Sequence, residues 1–154
     1  MASDVDVMRV LIVSGADPLL TMNANTTPLM VAAGITRVAA LDVPLPPESS
    51  ALEAVKLCLE LGGDVNALNA VGETALHGAA YRGADTIVQF LVDKGAKVNA
   101  KNKRRWTPLT IAEGIFPGGS VHRFPSTIEV LRKLGADPSP PDVDRSFLSP
   151  IAEP

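Results

Sequence analysis

Sliding the chain along itself by 33 positions lays VKLCLELGGDVNALNAVGETALHGAA, from Val55, over VQFLVDKGAKVNAKNKRRWTPLTIAE, from Val88, and the register holds for 26 residues. Gly62 falls on Gly95, Val65 on Val98, Asn66 on Asn99, Ala67 on Ala100, Thr74 on Thr107 and Leu76 on Leu109. A fixed period of this length implies a stack of like units, each burying its apolar face against the next. Two weaker copies flank the pair. Gly15-Ala16-Asp17 and Gly135-Ala136-Asp137 each follow an apolar stretch, and TTPLMVAAG, from Thr26 to Gly34, supplies another Thr-Pro-Leu start.

Elementary backbone chemistry accounts for the residues that recur. Thr27, Thr74 and Thr107 can cap a helix start, and Pro28 and Pro108 stand where a first-turn proline loses no hydrogen bond. Ala32 and Ala33, like Ala79 and Ala80, let paired helices approach closely, while Leu76, Ile87, Val88 and Leu91 give the three-to-four spacing of buried helix faces. Gly62 and Gly95 follow the second helix as stops that accept a positive φ. Taken together, TALHGAAYRG, LVDKGAKVNA and TPLTIAE make the chain resemble the ankyrin-repeat family from about Val5 to Asp137, as a bacterial member or a domain cut from one. The resemblance implies an all-α solenoid of stacked helix-turn-helix units with hairpin-like fingers. It implies a partial repeat over 1–21, a repeat over 22–67 with an insertion at 35–50, and a regular repeat over 68–100. A terminal repeat over 101–137 with an insertion at 115–126 follows, and then a proline-rich tail, 138–154, expected to be extended or disordered.

The chain departs from that pattern at identifiable places. Thr27 to Thr74 spans 47 residues against a period of 33, and Pro44, Pro46 and Pro47 forbid a continuous helix through the surplus. Thr107 to Gly135 spans 28 residues where Thr74 to Gly95 spans 21. Both insertions fall between paired helices, so a stacked array should carry them on one edge. At the N-terminus only a second helix is recognisable, roughly Val5 to Ser14. It either caps the array or was cut from a longer repeat protein, the favoured reading, which leaves an apolar face through which copies could associate. At the other end Arg132 and Lys133 replace Leu59 and Glu60 or Val92 and Asp93, the signature of a terminal capping repeat.

Composition narrows the function classes. Aromatic residues make up 4% of the chain, low for an enzyme core but sufficient for short helices packed through Leu, Val and Ala. Cys58 is the single cysteine, so an internal disulfide is excluded, and its register with Leu91 predicts a buried, inert thiol. Two histidines and one cysteine at these spacings do not make a zinc site. No Gly-rich phosphate loop, nucleophile elbow, H-E-x-x-H helix or EF-hand loop occurs, so neither catalysis nor a cofactor is expected. The start MASDVDVM lacks a signal-peptide pattern and no apolar run approaches a membrane span, so the segment is expected to be soluble without membrane contact, with a cytoplasmic location favoured and the compartment of a longer parent chain left open.

The family resemblance directs attention to finger tips and to the exposed face of each first helix. By register these are Asn23, Ala24 and Thr26, then Ala70, Val71 and Glu73, then Lys103, Arg104 and Trp106, with Tyr81 and Arg82 on the middle helix. Exposed aromatic and arginine side chains anchor interfaces. Tyr81, Arg82, Lys103, Arg104, Trp106 and Glu73 are therefore the expected partner-binding residues. Six cations, Lys94, Lys97, Lys101, Lys103, Arg104 and Arg105, run without an intervening acid in a chain of net charge −3. This favours an acidic or aromatic-containing protein partner. Nucleic acid is disfavoured by the acidic remainder, and a spacer block within a larger polypeptide is the structural alternative. Arg105 stands where Gly72 and Asn25 occur, so either the third turn differs or the arginine is retained for its charge at a left-handed cost of about 1 kcal/mol. His77 is implied to bridge neighbouring fingers, whereas His122, in the second insertion, reads as a solvated loop residue.

Overall fold

A computed structural model describes residues 4–35, 46–115 and 122–138. The inner part of each insertion and the tail lie outside the described residues. Among the described residues the chain is all-helical, with α1 (Asp4–Val13), α2 (Pro28–Ala33), α3 (Glu48–Glu60), α4 (Ala75–Arg82), α5 (Asp85–Asp93), α6 (Pro108–Ala112) and α7 (Pro125–Lys133). A short 3-10 turn at Asn23–Asn25 precedes α2, and no strand forms beyond the isolated bridge between Met22 and Thr26.

The helices alternate between two rows. First helices α2, α4 and α6 pack side by side in one, and second helices α1, α3, α5 and α7 in the other. First helices start on threonine, as their sequence demands: the Thr27 and Thr107 hydroxyls each accept the backbone N–H three residues on, at 3.2 Å. Second helices end on glycine. Gly95 and Ala96 N–H donate to the carbonyls of Val92 and Leu91, and the same pair of bonds recurs at Gly15 and Ala16, Gly62 and Gly63, and Gly135 and Ala136. Leu29, Leu76 and Leu109, the leucine of each first helix, are almost fully buried, as are Cys58, Leu91 and Leu131 on the second helices.

The middle repeat differs from its neighbours at one informative point. α4 runs on through Tyr81 and Arg82, but α2 and α6 stop at Gly34 and Gly114, with φ of 126° and 98°, at the position of Tyr81. Ile35 and Ile115 then turn inward at the position of Arg82 and are buried. A left-handed glycine and an inward isoleucine thus launch both insertions. The first launch is tight: a Cβ on Gly34 would meet the Gly78 carbonyl oxygen at 2.6 Å, and one on Gly78 would meet Ile35 at 2.9 Å.

Each later finger is closed by a buried asparagine. Asn69 Oδ1 accepts the N–H groups of Val71 and Glu73 at 3.0 and 2.9 Å, and Asn102 Oδ1 those of Arg104 and Trp106 at 2.9 and 3.0 Å. The first finger has Met22 there, which offers no such acceptor, and it turns through positive φ at both Ala24 and Asn25. Adjacent fingers are stitched by backbone bonds, Ala70 N–H to the Ala24 carbonyl at 2.7 Å and Lys103 N–H to Val71 at 2.9 Å. On the opposite side of each repeat Asn66 and Asn99 donate to the carbonyls of Gly95 and Gly135 and accept from the N–H groups of Lys97 and Asp137.

Candidate partner-binding surface

The third finger keeps the turn of its neighbours although its sequence breaks their rule. Arg105 has φ 64°, against 80° for Gly72 and 57° for Asn25, so the arginine is held in left-handed backbone. That conformation costs a non-glycine residue about 1 kcal/mol. The six cations from Lys94 to Arg105 are all exposed, so the basic run faces solvent along the finger and the turn before it.

Two side-chain pairs lie beside this finger. Arg104 stacks its guanidinium over the Trp106 ring, 5.0 Å from the centroid. The ring is half-buried against the core, so the indole is a fixed platform. In the adjoining repeat, Tyr81 Oη donates to a Glu73 carboxylate oxygen at 2.8 Å, and Asn69 Nδ2 donates to the other at 3.2 Å. Burial, with the Glu73 carboxylate adding to it, pushes the Tyr81 phenol far above its ordinary range, and Arg104 is close enough to pull it the other way. Glu73, Tyr81, Arg104 and Trp106 therefore form one electrostatically linked group, and Lys103 lies exposed on the same finger.

Arg82 is not part of it. Its guanidinium donates to the Pro46 carbonyl at 2.8 Å, where the first insertion returns to α3, and it is half-buried there. Desolvation lowers the Arg82 pKa, opposed by the Glu48 carboxylate. Tyr81 also differs from an exposed anchor: half-buried and tied to Glu73, it presents a rim to the surface. Register places both residues correctly on α4, but the partners that tie them down come from other segments.

His77 and Cys58 are structural. Nδ1 of His77 accepts the Thr74 N–H and Nε2 reaches the Trp106 carbonyl, so the ring bridges its own helix and the next finger. Burial raises the pKa of the Cys58 thiol. His122 lies against Phe124 with ring centroids 5.6 Å apart, and Phe124 in turn covers Gly83. Among the described residues no three His, Cys, Asp or Glu side chains converge in a metal-binding group, and no helix is long and apolar enough to cross a membrane.

The comparisons agree with this architecture. A family model of ankyrin repeats, in three copies, matches residues 48–142. The chain is 34% identical over 94 residues to the ankyrin repeat domain-containing protein OPG015 of monkeypox virus, which covers 61% of this chain and 21% of the viral protein. It is 42% identical over 65 residues to the mouse B-cell lymphoma 3 protein homolog, covering 42% of this chain and 14% of that one. It is 36% identical over 66 residues to the potassium channel AKT1 of Arabidopsis thaliana, covering 43% and 8%. The chain thus spans about a fifth or less of each of these relatives, and what it shares with such different proteins is the repeat itself. Ankyrin repeats are in general non-catalytic modules for protein–protein interaction, and this chain belongs to the ankyrin-repeat family.

Proposed function

We propose that the chain binds another protein through the third finger and the adjoining edge of the second, taking an acidic segment that carries an aromatic side chain. The observation that carries this reading is the Arg104–Trp106 stack. A solvated arginine loses side-chain entropy when it grips a carboxylate, and stacking on a fixed indole removes part of that cost in advance. Lys101, Lys103 and Arg105, exposed on the same stretch of chain, add charge of the same sign. The rims of Trp106 and Tyr81 supply apolar contact for a ring, while Glu73 bounds the basic surface on one side.

The test uses a fluorescein-labelled peptide in which aspartates flank a tyrosine, titrated with the protein and followed by anisotropy. Trp106 packs against the core, so truncating it would mix binding with folding. Arg104→Glu and Lys103→Glu change exposed side chains only. Each should weaken binding about tenfold, in line with loss of an interface arginine or lysine and its replacement by a like charge. A peptide with serine in place of aspartate should not bind. Equal binding by the wild type and both variants would overturn the reading. Tighter binding of a DNA oligonucleotide of matching charge would favour the nucleic-acid alternative.

A further inference from the structure

Counted from the glycine that ends each second helix, the fingers keep one register. From Gly15, Gly62 and Gly95 the eighth residue is Asn23, Ala70 or Lys103, and the ninth is Ala24, Val71 or Arg104. The bond that joins neighbouring fingers runs between these two positions. Ala70 N–H donates to the Ala24 carbonyl at 2.7 Å, and Lys103 N–H to the Val71 carbonyl at 2.9 Å. The next acceptor in that series is the carbonyl of Arg104. One position earlier, the seventh, stand Asn69 and Asn102, whose Oδ1 atoms close their fingers.

The same count from Gly135 reaches Asp142, Val143 and Asp144, which lie outside the described residues. Aspartate supplies the same kind of side-chain oxygen as asparagine for closing a turn of this type. The course toward that register is set within the structure. Asp137 N–H donates to Asn99 Oδ1 at 2.8 Å, as Lys97 N–H donates to Asn66 Oδ1 at 2.9 Å, so the chain leaves α7 along the path that leads α5 into the third finger. Pro140 gives up the counterpart of one bond on that path, from Ala100 N–H to the Lys97 carbonyl, while Pro138, Pro140 and Pro141 stiffen the approach and lower the entropy lost on docking. At the ninth position the row then reads Ala24, Val71, Arg104 and Asp144, placing an acid next in line to the arginine. Opposite charges at matching positions of neighbouring paired segments attract.

We propose that residues 142–147 dock against the third finger as a further finger closed by Asp142, and that Asp144 there pairs with Arg104. Val143 N–H is the donor that register assigns to the Arg104 carbonyl, and the Asp144 carboxylate reaches the exposed guanidinium beside it. An acidic partner and Asp144 then compete for one arginine, so the chain carries its own competitor for the site. That consequence rests on the reading of Arg104 as the partner's anchor, whereas the docking itself does not.

Two readouts on the full chain test it. Trp106 is the one tryptophan, so its indole N–H gives a single signal in a nitrogen–proton correlation spectrum. Asp144→Asn should shift that signal and the amide signals of Lys103, Arg104 and Arg105, whereas Glu153→Gln, an equal loss of charge further along, should leave them in place. In the anisotropy titration Asp144→Asn should bind the aspartate-tyrosine peptide about threefold to tenfold more tightly, the gain expected where docking leaves the site open a third to a tenth of the time. Asp142→Ala removes the closing acceptor and should act in the same direction, while Asp142→Asn, the residue of the other fingers, should behave as the wild type. Absent shifts, or equal shifts from Asp144→Asn and Glu153→Gln, would overturn the docking. So would shifts that vanish on dilution, because the acid would then come from a second copy. A peptide that binds every variant equally would overturn the competition and leave the partner reading intact. The expected shifts with a peptide that binds no variant would uphold the docked finger and sink the partner reading instead.

Discussion

His77 ties one repeat to the next: its Nε2 lies 3.1 Å from the carbonyl oxygen of Trp106, across the boundary between α4 and the third finger. Because Nδ1 already accepts the Thr74 N–H at 3.1 Å, the proton of the neutral ring sits on Nε2 and is donated to Trp106. Burial lowers the pKa of this histidine below its ordinary 6.5, with the Trp106 carbonyl and the Glu73 carboxylate opposing in part. The unfolded chain therefore takes up a proton first as pH falls. Stability from this group is whole above pH 6.5 and declines as pH drops from there toward the folded pKa, by up to about 1.4 kcal/mol per pH unit. Thermal melts from pH 7.5 to 5 should show a falling midpoint, and His77→Gln should flatten that decline although the variant is less stable at neutral pH. A decline of the same slope in the variant would assign it to other groups.

Arg105 gives a prediction about backbone strain. Its φ of 64° is one that glycine adopts freely, and the equivalent residue of the middle repeat is Gly72. Arg105→Gly should change stability by no more than about 0.5 kcal/mol, because relief of the left-handed penalty is offset by the extra entropy that glycine gives the unfolded chain and by loss of the arginine's own interaction. The same change removes one cation from the finger and should weaken the acidic peptide modestly. Urea unfolding reads the first effect and anisotropy the second. A shift of more than about 1 kcal/mol in either direction would show that the strain and the terms set against it do not offset.

Gly83 should tolerate no side chain. It ends α4 with φ 68°, and a Cβ built there would lie 2.2 Å from the Phe124 ring, which arrives from the end of the second insertion. Gly83→Ala combines left-handed strain with a collision, and should cost about 2–4 kcal/mol. Pairing it with Phe124→Ala should recover part of the loss in a double-mutant cycle. Simple additivity would mean the ring moves away at no cost.

How far the sequence could be read depends on whether a contact repeats. Threonine caps, glycine stops and buried Cys58 follow from the period, because each is a local or next-neighbour interaction that the register carries from one unit to the next, whereas the bridging His77 was implied by the family resemblance. Arg105 stood out for the same reason, as a substitution at a position with a fixed backbone demand, but the sequence left two alternatives and the φ of 64° decides between them. The tie from Arg82 to Pro46 and the cover of Gly83 by Phe124 were not, since Pro46 and Phe124 belong to insertions that have no counterpart in the regular repeat. The pairing of Tyr81 with Glu73 links two residues that register had placed separately, one on a helix and one on a finger. The altered first finger was written in Met22, the one finger-closing position of the three without an asparagine.

Glu73 discriminates between two ways of using the basic finger. Its carboxylate is held by Tyr81 and Asn69. If it only bounds the surface, it repels an acidic partner, and Glu73→Gln should tighten binding of the aspartate-tyrosine peptide by about twofold to fivefold, within the range of a partly exposed charge interaction. The gain should shrink at high salt, where surface charges are screened. Glutamine keeps an oxygen for the Tyr81 hydroxyl, so the fold should lose no more than about 1 kcal/mol. If Glu73 instead contacts the partner directly, the same substitution weakens binding, and the loss persists in salt to the extent that the contact is a hydrogen bond. Titrations of wild type and Glu73→Gln at two salt concentrations separate the cases, and a weakened complex at both would move Glu73 from the border of the binding surface to its centre.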